Sequence, residues 1–95
     1  MTNAPPFRVI WSTRAIRDLA GIDSYIGQFA PLAAQRFTAR LVATVMSLDK
    51  NPLRGRSVGG AVRELVVVSP YLVRYRVTAE GVQILRIRHG AQRPD

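Results

Sequence analysis

The feature that most constrains this chain is a change of hydrophobic period near its middle. From residue 16 to residue 48, apolar side chains recur every three or four positions, whereas from residue 62 to residue 88 they come in short β-branched runs and alternations. The first pattern is that of amphipathic helices and the second that of strands, so one chain has to pack a helical layer on a sheet. With 95 residues in all, the two patterns have to share one core. A chain of that length buries only about 60–65% of its unfolded surface. One domain spanning residues 1–95 is therefore expected, with 1–6 and 91–95 as tails.

Residues 7–11, Phe-Arg-Val-Ile-Trp, follow Pro5-Pro6 and end at Ser12, which predicts a short strand. Ser12 is suited to cap a helix in which Ile16, Leu19, Ile22, Ile26 and Phe29 form one stripe, ending near Ala30. Pro31 has the preset φ of a first helical residue, and Ala34, Phe37, Leu41, Val45 and Leu48 then share one side of a second helix. Asn51-Pro52 stops it, and residues 53–60 read as a basic, glycine-rich loop. Strands are predicted over 62–68, 71–77 and 82–88, with turns at Ser69-Pro70 and Ala79-Glu80-Gly81. On the last strand, Val82, Ile84, Arg86 and Arg88 are expected on one face and Gln83, Leu85, Ile87 and His89 on the other. The layout is β-α-α-β-β-β, an α+β domain with a helical hairpin packed on a mostly antiparallel sheet.

Composition then narrows the function classes. The net charge is +8, with +2 carried by residues 1–49 and +6 by residues 50–95, and 13 of the 14 cations are arginine. Arginine presents a planar fork that suits phosphate or carboxylate, so nucleic acid and an acidic protein are the two partner types that fit. There is no cysteine and one histidine, which removes disulfides, zinc ribbons and histidine metal clusters; no metal and no cofactor are expected. The longest apolar run is 65–68 and the first residues lack the basic and apolar regions of a signal peptide, so a cytoplasmic protein without a membrane span is expected. Scattered acids give no support to a paired-carboxylate or two-metal nuclease. The 55–60 segment lacks the Gly-Lys-Ser/Thr ending of a P-loop.

What remains is a basic set: Arg56, Arg63, Glu64, Arg74, Arg76, Arg86, Arg88, His89 and Arg93, with Tyr71 and Tyr75 among them. Such residues can hold an RNA backbone and move a 2′-hydroxyl proton without metal, with Arg63, Glu64, Arg86 and His89 as the candidate catalytic group. They can equally form a binding surface with no chemistry of its own. A basic nucleic-acid-binding module is a further reading, although the helices carry no Arg/Asn/Gln-rich recognition face and the sheet no aromatic platform.

An ordered set of pieces runs along the chain: Ile10-Trp11-Ser12, Asp18-Leu19, Tyr25-Ile26, Pro31, Asn51-Pro52, Gly55-Arg56, Arg63-Glu64-Leu65, Pro70-Tyr71, Tyr75-Arg76-Val77, Ile84-Leu85-Arg86 and His89-Gly90. In these the chain resembles the RelE/ParE superfamily of toxins from bacterial type II toxin-antitoxin systems. The resemblance implies a small cytoplasmic toxin neutralised by a cognate, ParD-like antitoxin. RelE-like members cut mRNA on the ribosome and carry a tyrosine or histidine-tyrosine end, whereas ParE-like members inhibit DNA gyrase. This chain has no tyrosine after Tyr75 and a single lysine, which favours the ParE-like branch and leaves RelE-like cleavage of mRNA as the alternative. On the leading reading, Arg56, Arg63, Arg86, His89 and Arg93 are expected to meet gyrase or its DNA, without catalysis. Leu19, Ile22, Tyr25, Ile26, Phe37 and Leu41 are expected to take the antitoxin.

Overall fold

The computed structural model describes residues 8–90. Its elements are β1 (Arg8–Trp11), α1 (Thr13–Gly27), α2 (Pro31–Met46), a single 3-10 turn (Ser47–Asp49), β2 (Arg56–Gly59), β3 (Val62–Val68), β4 (Tyr71–Thr78) and β5 (Gly81–His89). The five strands form one sheet in the order β1-β5-β4-β3-β2, antiparallel except where β1 runs parallel to β5. The expected α+β class and helical hairpin are present. No helix among the described residues is long and apolar enough to cross a membrane.

The local rules hold at both helix starts. The Ser12 hydroxyl accepts from Ala15 N at 3.0 Å and donates to Leu85 O at 3.1 Å, so the cap of α1 also fastens the helix to β5. Pro31 is the first residue of α2, where its missing N–H costs no helical bond. Ala34, Phe37, Leu41 and Val45 of α2 are buried, and Leu48 continues their stripe into the 3-10 turn. On α1 the buried face is set by Ala15, Leu19, Ile22 and Ile26. Ile16 and Phe29, expected on the same stripe, are exposed. Helix α1 ends at Gly27, so Phe29 lies in the turn between the helices.

Two features of the sheet depart from the sequence reading. Residues 56–59, expected in a loop, form β2 and pair antiparallel with β3, because Gly59 and Gly60 take φ of +128° and +55° and let the chain fold back tightly at Gly60-Ala61. On β5 the register steps from Arg86 opposite Arg74 to Ile84 opposite Tyr75, which leaves Leu85 as an extra residue. That bulge resets the alternation. Val82, Ile84 and Ile87 all enter the core, while Arg88, expected beside Val82 and Ile84, leaves the core face. With Val73 and Tyr75 of β4 they pack under the helices, and among the described residues the opposite face of the sheet carries no helix.

Candidate functional site

The uncovered face of the sheet is organised around one carboxylate. Glu64 of β3 lies opposite Arg56 of β2 and opposite Arg74 of β4. Its side chain is only 8% exposed, and its Oε2 accepts from Arg74 Nε at 2.9 Å and Nη2 at 2.6 Å, a two-pronged contact. Arg88 Nη1 of β5 stands 3.6 Å from Oε2, and Arg56 Nη2 reaches Oε1 at 3.4 Å from a side chain that is itself 77% exposed. A buried carboxylate is tolerable only when paired, and here three guanidinium groups share it. They border a shallow hollow of about 330 Å³ together with Val58 and Leu72. Arg76 follows Arg74 by two residues on the same strand face and is exposed.

A second concavity, about 590 Å³, opens between α1 and the end of β5. Helix α1 lends Arg17, Asp18, Ile22 and Tyr25; β5 lends Arg86, Ile87, Arg88 and His89, so Arg88 borders both concavities. Asp18 Oδ2 accepts from Arg86 Nε at 2.8 Å and from Ile87 N at 3.0 Å, so one helical carboxylate fixes both the arginine and the backbone just past the bulge. The His89 ring meets Tyr71 edge-on at 5.2 Å, and Tyr71 meets Phe37 of α2 at 5.0 Å. The histidine is thus joined to the core through two aromatic contacts.

A third group of bonds sets the segment before β2. The Tyr75 hydroxyl donates to Pro52 O at 2.8 Å and accepts from Gly55 N at 2.7 Å. Arg63 Nη1 donates to Gly55 O at 2.7 Å and to Leu53 O at 3.3 Å. A Cβ on residue 55 would come within 2.7 Å of Glu64 O and of the Tyr75 hydroxyl, so this position requires glycine.

The residues singled out from sequence therefore fall in separate places. Arg56 and Glu64 lie on the uncovered face, Arg63 holds the 53–55 backbone, and Arg86 and His89 line the cleft. Arg93 lies outside the described residues. Of the antitoxin candidates, Leu41 and Phe37 are core, Leu19, Ile22 and Ile26 are partly buried against it, and Tyr25 is exposed, edge-on to Phe29 at 5.5 Å. Arg74 and Arg88, left out of the candidate target surface, turn out to be two of the three partners of Glu64. The sequence signal for Arg74 was its place two residues before Arg76 on an alternating strand, while the position of Arg88 depended on the bulge. Asp18 entered the sequence reading only within the Asp18-Leu19 piece, and its pairing carried no signal, because its partners are 68 and 69 residues away. Among the described residues no group of three or more His, Cys, Asp or Glu side chains could hold a metal ion.

Residues 9–94 match the family described as ParE toxin of type II toxin-antitoxin system, parDE. The chain belongs to this toxin family. It is 52% identical over 85 residues to Toxin RelE2 of Caulobacter vibrioides, covering 90% of this chain and 97% of that one. To Toxin RelE1 of the same organism it is 38% identical over 89 residues, covering 90% and 96%. Its fold matches a chain of the chromosomal ParDE system from P. aeruginosa with a TM-score of 0.77 at 26% identity, over 87% of this chain and 95% of that one. A chain of the RelBE2 toxin-antitoxin complex from Mycobacterium tuberculosis matches with a TM-score of 0.65 at 26% identity, over 88% and 98%. The protein is a type II toxin of the RelE/ParE superfamily, as its ordered sequence pieces implied.

Proposed function

We propose that this ParE-family toxin inhibits DNA gyrase by binding it, stops DNA replication in the cytoplasm, and is neutralised by a cognate ParD-like antitoxin. The observation that carries the reading is the separation of the four residues a ribonuclease would need together. Glu64 is buried among arginines on one face of the sheet, His89 and Arg86 line the cleft beside α1, and Arg63 is committed to the Gly55 and Leu53 carbonyls. A base, an acid and a phosphate clamp have to meet one scissile bond within hydrogen-bond reach, and the engagement of these four residues with different partners supports binding over cleavage. A binding surface needs no such convergence.

The antitoxin fits the cleft. Arg17, Arg86 and His89 give it a basic rim, and Ile22 and Tyr25 give it apolar contacts, which suits an acidic segment with one or two apolar anchors. Support also comes from the matched structures, which are of a ParDE system and a RelBE2 toxin-antitoxin complex. Within the candidate set, Phe37 and Leu41 support this surface from the core and Tyr25 meets the partner.

The test is a supercoiling assay with purified gyrase and relaxed plasmid. The wild-type chain should suppress supercoiled product, and His89→Gln should change the inhibitory concentration by less than about tenfold. Loss of a general acid or base would cost about 10²–10⁴-fold. No inhibition of gyrase, with cleavage of mRNA on ribosomes that His89→Gln abolishes, would establish the RelE-like reading instead.

A further inference from the structure

We infer that the uncovered face of the sheet is a binding surface for the phosphodiester backbone of duplex DNA, contacted by Arg56, Arg74 and Arg76 with Arg88 behind them. This site adjoins the cleft assigned to the antitoxin only at Arg88, which borders both, and DNA binding here does not depend on gyrase being the target.

The charge is concentrated and held. Three guanidinium groups, on β2, β4 and β5, share one carboxylate and Arg76 stands beside them on β4, which leaves these described residues of the face at +3. Glu64 acts as a positioning residue. It engages Arg74 through Nε and Nη2, which leaves Nη1 to donate elsewhere, and it steadies Arg56 from one side while that side chain stays 77% exposed. Arginines pre-ordered in this way lose less freedom on meeting a phosphate than free ones would. Neighbouring strands are about 4.8 Å apart, so the arginines from β2 to β5 span about 14 Å, comparable to the roughly 12 Å width of a major groove between its phosphate rows.

The same face selects the kind of nucleic acid. Single strands are bound by stacking bases on exposed aromatic rings. Here Tyr71 and Tyr75 belong to the helix-covered side, and Tyr25 and Phe29 belong to the helical hairpin. Among the described residues the uncovered face offers arginine with the aliphatic Val58, Val66 and Leu72, which suits phosphates and deoxyribose and presents no aromatic ring on which a splayed base can stack.

The measurement is fluorescence anisotropy of a labelled 20-base-pair duplex titrated with the full 95-residue chain from low to physiological salt. About three phosphate contacts predict a slope of log K against log salt near −3. The double variant R56Q/R76Q, at exposed positions and with Arg74-Glu64 intact, should weaken binding about 10–100-fold at low salt and reduce the slope by about 2. R36Q/R40Q removes the same charge from the exposed side of α2 and should leave both unchanged within about threefold. Equal weakening by the two double variants would reduce the effect to bulk charge and overturn the inference. So would no loss in R56Q/R76Q, tighter binding of single-stranded RNA of the same length, or equally tight binding of polyglutamate. Gyrase is absent from this measurement, so its failure overturns the DNA surface alone, and failure of the supercoiling assay leaves that surface standing.

Discussion

Glu64 holds the uncovered face of the sheet in order. Its carboxylate is buried, and the three arginines around it would repel one another without it. Glu64→Ala should therefore lower stability by about 3–5 kcal/mol, the cost of breaking a buried ion pair from one side, read as a fall in the urea midpoint. Removing Arg74 as well should return part of that loss, with a coupling of about 0.5–3 kcal/mol in a double-mutant cycle. Additive losses would mean that the 2.6 Å contact contributes nothing of its own. Tyr75 has a comparable role on the other side of the strand. Its hydroxyl is fully buried between Pro52 O and Gly55 N, so it shapes the entry to β2 as well as filling the core. Neither environment could be read from residue type, because each is made by strands brought side by side from different parts of the chain.

At the scale of elements, the helices and four of the strands, including β1 from the 7–11 run, followed from the sequence, while β2 did not. Period and punctuation were enough for the first group: Ser12, Pro31 and Asn51-Pro52 mark the limits of the helices, and runs over 62–68, 71–77 and 82–88 form three strands of the sheet. Residues 56–59 are all exposed and carry no alternating pattern, so their strand character comes only from pairing with β3. The signal that was present is Gly59-Gly60, a pair able to supply the positive φ of a tight hairpin. Gly60→Val should strain this turn at a cost of about 1–2 kcal/mol, since φ of +55° is poorly tolerated by a β-branched side chain. The test is amide hydrogen exchange, which should speed up at the β2-β3 ladder and stay unchanged in α2; uniform acceleration would show that the hairpin unfolds only with the whole domain. The bulge at Leu85 was also out of reach of strict alternation, and it decides which of Arg86, Ile87, Arg88 and His89 faces the core.

At the scale of the whole molecule, the sheet separates two surfaces that the sequence presented as one basic cluster. The helix side holds the cleft with Asp18, Arg86 and His89, the uncovered side holds Glu64 with Arg56 and Arg74, and Arg88 borders both. Charge count and arginine preference marked the second half of the chain, where Arg56, Arg74, Arg86 and Arg88 all lie, as basic. They could not divide it, because division depends on strand order and on a single extra residue in β5. On the proposed reading, the division offers this ParE-family toxin one surface for its regulator and another for DNA. Pulse-labelling of bacteria in the first minutes after the toxin is induced without antitoxin tests this account most directly. Thymidine incorporation should fall first while methionine incorporation continues and the cells filament. An immediate halt of methionine incorporation with DNA synthesis intact would contradict it and assign the arginines and His89 to the ribosome.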